Sequence, residues 1–221
     1  MPPWQLLLHR TADGLSRLRS AGQPAPDWVL GGGTALMIRA RHRTSRDIDA
    51  FIEDPQYLSF LSPRLTAQDI WACDAYEESY NHLRLIFREG EIDFIVAARI
   101  TELPSSLETV DISEIASGGS HEINVEHPVE IAIKKLAYRG PLLKVRDIFD
   151  IAVVDSLFPE LLRANLFHVA HLKQPILGRL NSIPEEYLRL EIDELDIADS
   201  WRLRAFSCRQ RVGEIIATIP S

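Results

Sequence analysis

Residues 28–52 read WVLGGGTALMIRARHRTSRDIDAFI. The apolar run Trp28-Val29-Leu30 stops at Gly31-Gly32-Gly33, after which Thr34 is placed to cap TALMIRAR as one or two helical turns. Asp47 to Ile52 then alternates, which puts Asp47, Asp49 and Phe51 on one strand face and Ile48, Ala50 and Ile52 on the other. The segment therefore reads as strand, glycine turn, helix, cationic loop and strand.

Two like charges one residue apart on one face repel, a cost tolerated when a divalent cation sits between them. Asp47 and Asp49 are accordingly candidate metal ligands, with Mg²⁺ the expected guest, because it takes one or two carboxylates and completes its shell with water and nucleotide phosphates. Gly32 and Gly33 let backbone N–H groups approach a phosphate, and the helix opening near Thr34 adds its positive end. Between the two features lie Arg41, His42, Arg43 and Arg46, cationic side chains suited to a polyphosphate or a second substrate, so Arg43 joins the candidate nucleotide contacts.

A formal net charge of −8 over 221 residues argues against indiscriminate binding to nucleic acid or anionic lipid, so any anion site must be local. The only cysteines, Cys73 and Cys208, stand far apart with no metal-ligand spacing, which fits a reducing cytoplasm and no disulfide framework. No apolar run approaches the eighteen or so residues needed to span a bilayer, so no membrane partner is expected.

Around the central motif, residues 4–20 carry leucines near helical spacing, and strands are expected at 69–77, 82–88 and 91–97, the last two joined by a turn at Glu89-Gly90. Asp93 interrupts the last of these strands. It reads either as a hydrogen-bonded strand-end carboxylate or as a third catalytic acid that shares the metal or accepts the proton of an attacking hydroxyl. From 129 onward the periodicity is helical, with helices expected over 129–139, 145–158, 160–172 and about 197–217. Pro104, Ser105, Ser106, Gly118 and Gly119 mark 100–127 as the junction, giving domains 1–127 and 128–221.

In VEIAIKKLAYRGPLLKVRDIFDIAVV, Lys135 and Arg139 share a helix face at i,i+4, and Asp147 and Asp150 lie i,i+3 on the next helix. Glu130 and Lys134 form a separate i,i+4 pair, which reads Lys134 as solvated and leaves Lys135 for phosphate. Arg146 and Asp150 either brace their helix or act in the site.

The spacing hydrophobic–Gly–Gly, twelve residues between Thr34 and Asp47, then Asp–hydrophobic–Asp–hydrophobic is a nucleotidyltransferase pattern. Together with Lys135-Leu136 and Arg146 to Asp150, it resembles the AbiEii/MenT family of nucleotidyltransferase toxins. The resemblance implies an α+β fold, with a polymerase-beta-like mixed-sheet N-terminal domain followed by a helical C-terminal domain that completes the active cleft. It also implies Mg²⁺-dependent transfer of a nucleoside monophosphate from an NTP co-substrate, with an RNA acceptor (a tRNA 3′ end in characterised relatives) and a cognate antitoxin as partners. By the same carry-over Asp47 and Asp49 are metal ligands, Ser45 and Lys135 touch the triphosphate, and Asp147 is an additional catalytic carboxylate. Ser45 also resembles a position at which some relatives are silenced by phosphorylation. Two other functions fit the same residues: a nucleotidyltransferase acting on a protein or small-molecule hydroxyl, and a catalytically idle nucleotide-binding module.

Overall fold

The structure is a computed structural model that describes residues 2–65, 70–112 and 119–220. The described residues form two compact units, one drawn from Met1–Ala35, Ser45–Ala98 and Ser105–Glu126, the other from Leu36–Thr44, Arg99–Pro104 and His127–Ser221.

The first unit is built on a mixed sheet. Its strands among the described residues are β1 (Val29–Gly31), β2 (Ile48–Ile52), β3 (Ala75–Ser79), β4 (His82–Phe87), β5 (Gly90–Val96), β6 (Ser106–Asp111) and β7 (Ser120–Val125), in spatial order β3-β4-β5-β2-β1-β7-β6. β2–β5 and β1–β7 run parallel, and the other neighbours are antiparallel. Period-two burial sets which face is dry: Ile48, Ala50 and Ile52 on β2, Ile92 and Phe94 on β5, and Leu83, Leu85 and Phe87 on β4 are all buried.

Helix α1 (Pro3–Ser20) packs on β2 and β5, with Leu7, Leu8, Thr11, Gly14, Leu15 and Leu18 forming one buried stripe. Gly14 is needed for that approach, since a Cβ there would lie 2.2 Å from the Trp71 ring. Trp71 is fixed in turn, its indole N–H donating to the Leu61 carbonyl at 2.7 Å and its ring tilted against Phe94.

Three expectations change in this unit. The strand expected over 69–77 begins only at Ala75; Asp69 lies outside the described residues, and Ile70 and Trp71 are buried as part of the core instead. The β4–β5 turn is Arg88-Glu89, because Gly90 already pairs with Phe87. The expected junction 100–127, whose Gly118 lies outside the described residues, holds the β6–β7 hairpin. Both strands keep one solvated side, so their polar outer residues hide the alternation.

Helix α2 (Gly32–Ala40) begins in the first unit and ends in the second. The second unit contains the further helices α4 (Pro128–Arg139), α5 (Val145–Leu157), α6 (Pro159–Asn165), α7 (Lys173–Ser182), α8 (Glu185–Glu194), α9 (Asp199–Phe206) and α10 (Cys208–Ala217), while α3 (Tyr57–Leu61) belongs to the sheet unit. α5 is buried almost all round, against α4, α6, α8, α9 and α10. Glu130, itself buried on α4, accepts the N–H groups of Ile100 and Thr101 and the Thr101 hydroxyl at 2.9, 2.8 and 2.6 Å, which holds Arg99–Pro104 on this unit.

The single helix expected over 160–172 gives way to a 3-10 segment at Leu166–Leu172, where Val169 leaves helical geometry (φ −116°, ψ 15°). The long final helix breaks at Ser207, whose hydroxyl donates to the Arg204 carbonyl and so competes with the helix ladder.

Two glycines should answer substitution in opposite directions. Gly14→Val is expected to lower stability by about 1–3 kcal/mol or more, from overpacking against Trp71. Gly178→Ala, in mid α7 with open space around it, should raise it by about 0.5–1 kcal/mol. Urea unfolding of both variants measures the contrast.

Candidate active site

The acidic pair sits where the glycine turn meets β2. Gly31 pairs with Asp49 across the antiparallel β1–β2 ladder, and Gly32 follows with φ +64°. A Cβ on Gly32 would stand 1.8 Å from Asp49 Oδ2, so this position demands glycine twice, for its backbone and for its space. Asp47 lies against a second glycine, since a Cβ on Gly90 would be 3.0 Å from Asp47 Oδ1. That same oxygen accepts the Glu91 N–H at 3.1 Å.

Thr34 does not cap α2. It sits inside the helix, and its hydroxyl donates to the Asp47 carbonyl oxygen at 2.5 Å, tying the first turn of α2 to the chain entering β2. Gly33 opens α2 beside Gly32, and Ser45 lies two residues before Asp47, half-buried. Asp47 and Asp49 are both half-buried; Asp49 lies within β2, between the buried Ile48 and Ala50, whereas Asp47 immediately precedes the strand, so the alternation expected from Asp47 begins only at Ile48.

Their donor set suits a hard cation. It consists of carboxylate oxygens, and among the described residues no group of three or more His, Cys, Asp or Glu side chains is placed to hold a metal ion. Two carboxylates fit an ion that brings its remaining ligands as water and phosphate oxygens, which is how Mg²⁺ is commonly held.

Asp93 is the in-register parallel neighbour of Asp49 and so shares its face. Its carboxylate accepts His82 Nε2–H at 2.7 Å and Arg84 Nε–H at 3.0 Å, both from β4. Burial pushes this carboxyl up, but the hydrogen bonds from His82 and Arg84 outweigh it and hold Asp93 below the usual carboxylate range. The two β4 residues were not singled out from the sequence. The signal was present: with Phe87 opposite Gly90, counting along the hairpin places Arg84 opposite Asp93.

In the helical unit the chemistry gathers on α5. Asp150 is fully buried and accepts Arg43 through a two-pronged contact, Nε to Oδ1 and Nη2 to Oδ2, each at 2.8 Å. His42 Nε2–H donates to Oδ1 at 2.8 Å, and Lys135 Nζ reaches Oδ2 at 3.1 Å. Lys135 also donates to Asp147 Oδ1 at 2.6 Å, an oxygen shared with Arg139 at 3.1 Å, while Asp147 Oδ2 accepts the Lys144 N–H at 3.2 Å and caps α5. Burial pushes both carboxyls up. The charges of Lys135 and Arg139 hold Asp147 below the usual range nevertheless, and those of Arg43 and Lys135, with hydrogen bonds from His42 and Arg43, hold Asp150 well below it.

This arrangement corrects the reading of the cationic loop. His42 and Arg43 are buried, whereas Arg41 and Arg46 are exposed. Backbone bonds pin the loop: Thr44 N–H to Asp196 O at 2.9 Å, Ala198 N–H to His42 O at 3.0 Å, and a bridge between Arg43 and Ile197. Two further expectations change. Lys134 is not solvated; its side chain is 5 % exposed and pairs with buried Glu130 at 3.8 Å. Asp150 does not brace its helix through Arg146, which is exposed, but serves as the hub of the cluster. The sequence signal for such a hub is an aspartate repeated inside an otherwise apolar helix, which must find partners when buried.

Because Asp147 and Asp150 titrate lower in the folded chain than in the unfolded one, their contribution is complete at neutral pH and is lost as pH falls below about 5 toward the depressed values. Asp150→Asn should flatten that acid limb and cost about 3–5 kcal/mol at neutral pH, because it strands buried Arg43 and Lys135. Denaturant unfolding between pH 3 and pH 7 (roughly the span set by the carboxylate range) compares the two proteins.

No curated protein matches the chain. A family model described as "Nucleotidyl transferase AbiEii toxin, Type IV TA system" matches residues 14–213, most of its length. That span includes the glycine turn, the Asp47/Asp49 pair and the Lys135–Asp147–Asp150 cluster, and its α+β organisation is the one found here. The chain belongs to the AbiEii family, nucleotidyltransferase enzymes that are the toxins of type IV toxin–antitoxin systems.

Proposed function

We propose that the chain transfers a nucleoside monophosphate from an NTP to the 3′-terminal hydroxyl of a tRNA with the help of Mg²⁺, and that a cognate antitoxin restrains it. The observation that carries this reading is the mutual fixing of the glycine turn and the acidic pair: Gly31 against Asp49, Gly32 under its carboxylate, and Thr34 on the Asp47 carbonyl. A turn that frees backbone N–H groups is thereby held beside two carboxylates, the combination a metal-bound triphosphate requires. The family supports transfer from NTP, and the acceptor follows the family resemblance.

Asp47 and Asp49 are assigned as the Mg²⁺ ligands. When bound, the ion supplies charge neutralisation at the phosphates and polarises the phosphorus under attack. Gly32 and Gly33 present backbone N–H groups to phosphate at the positive end of α2, with Thr34 holding the turn and Ser45 adding its hydroxyl. Lys135 has three N–H donors, of which Asp147 and Asp150 take two, leaving one for a phosphate oxygen. Arg43 acts on the nucleotide through Asp150, which it holds ionised and in place. Asp147 positions Lys135 by a 2.6 Å bond.

In the reaction the tRNA hydroxyl oxygen forms a bond to the α-phosphorus, the bond from that phosphorus to the bridging oxygen breaks, and pyrophosphate leaves. The hydroxyl proton passes to solvent or to a carboxylate. Asp93 is given the task of an anionic neighbour to Asp49: a carboxyl held below its usual range keeps its charge at neutral pH and is a weak proton acceptor.

Incubation with each α-labelled NTP, Mg²⁺ and total RNA tests the reading. Label is expected in the tRNA fraction and absent when the ion is chelated; label in protein or in small hydroxyl compounds instead would move the acceptor, and no label in any fraction would leave an idle nucleotide-binding module. Asp49→Asn should reduce transfer by about 100-fold or more while the chain still unfolds cooperatively, because it removes one of the two charges assigned to the ion. Lys135→Ala should lose comparable activity and also destabilise the fold, since it leaves Asp147 and Asp150 short of one cation.

A further inference from the structure

The helical unit holds a cavity of about 210 Å³ lined from α5, α9 and α10. Its floor is apolar, formed by the buried Phe149, Ala152 and Val153 of α5. Its polar lining is Ser156, Arg204, Ser207 and Arg211, with no carboxylate among the lining residues. The two guanidiniums differ. Arg211 donates its Nε–H to Oδ2 of the buried Asp155 at 2.6 Å and lies 3.8 Å from Glu214, so its charge is already answered. Arg204 makes no ion pair among the described residues; its guanidinium lies over the Trp201 ring, 5.2 Å from the centroid, and no carboxylate takes its N–H donors. The hydroxyls are committed as donors, Ser156 to the Ala152 carbonyl at 3.0 Å and Ser207 to the Arg204 carbonyl at 3.2 Å, which leaves only their lone pairs for a ligand.

We propose that this cavity binds a small carboxylic acid with an apolar body of a few carbons, its carboxylate on Arg204 and its hydrocarbon against Phe149, Ala152 and Val153. The assignment is independent of the transfer reaction. One unanswered guanidinium matches one negative charge, and a planar carboxylate takes two of its N–H groups side by side. A phosphate monoester carries about −1.5 to −2 charge at neutral pH, and hydroxyls that have given their protons to the backbone offer it no donor. The volume is below the roughly 300–1,000 Å³ of pockets for drug-sized ligands, which limits the body to a few carbons.

Calorimetric titration of the full chain tests this with 4-methylpentanoate as the probe. Acetate lacks the apolar body, 4-methylpentan-1-ol lacks the charge, and inorganic phosphate carries the other anionic chemistry. Saturable binding of 4-methylpentanoate is expected with a Kd of about 1 mM or tighter. Acetate and the alcohol should each bind about 10-fold or more weakly, from the lost methylenes and the lost charge-assisted hydrogen bonds respectively. Arg204→Gln should weaken 4-methylpentanoate binding by about 10- to 100-fold while the chain still unfolds cooperatively, since Arg204 holds no ion pair among the described residues. Acetate or phosphate binding as tightly as 4-methylpentanoate would reduce the site to an anion contact and overturns the proposal. Equal affinity for the alcohol would reduce it to an apolar crevice and overturns it too. So does the absence of saturation by about 10 mM probe, or an affinity unchanged in Arg204→Gln, which would place the probe elsewhere on the chain.

Discussion

A carboxylate with no access to water has to be neutralised where it stands, and Asp150 is that carboxylate here. It sits on a helix buried on nearly every side, and the guanidinium that grips both its oxygens comes from Arg43, more than a hundred residues earlier in the chain. The fold of the second unit follows from this. The segment Leu36–Thr44 must belong to the helices rather than to the sheet that precedes and follows it in sequence. His42 and Lys135 then complete the shell of Asp150, and Lys135 recruits Asp147 and through it Arg139.

The sheet unit solves a different electrostatic problem. Asp47 and Asp49 are half-buried, and each lies against a glycine whose missing side chain leaves room for the carboxylate. Asp93, one strand over, is instead surrounded by His82 and Arg84. Asp93 is thus neutralised from the neighbouring strand, while Asp47 and Asp49 are seated by glycines.

Much of this was legible in the amino-acid order where the physics is local. The glycine turn, the alternation through Ile48–Ile52, the β4–β5 hairpin and the helices carrying Lys135 and Asp147 all follow from periodicities shorter than one element. What escaped depended on long-range burial. Arg43 reads as a nucleotide contact and Lys134 as solvated because charged residues usually lie at a surface; only the packing of α5 and the segment 99–104 puts them inside. The β6–β7 hairpin escaped for the opposite reason, since its residues are largely solvated and its composition is that of a loop. Asp93 lies between these cases: the sequence reads it as either structural or catalytic, and its pairing with Arg84 needs the register.

Asp147 carries three duties at once: it caps α5 at the Lys144 N–H, it holds Lys135, and it holds Arg139. A lineage in which the reaction no longer benefits its host is free to lose side chains that serve transfer alone. It is not equally free to lose Asp147, because the helix start and two cations go with it. Decay of such a gene should therefore erase first the groups used only in transfer and leave the lysine–aspartate pairing behind as a relic, so the survival of that pairing in a related sequence testifies to an intact scaffold and not to a working enzyme.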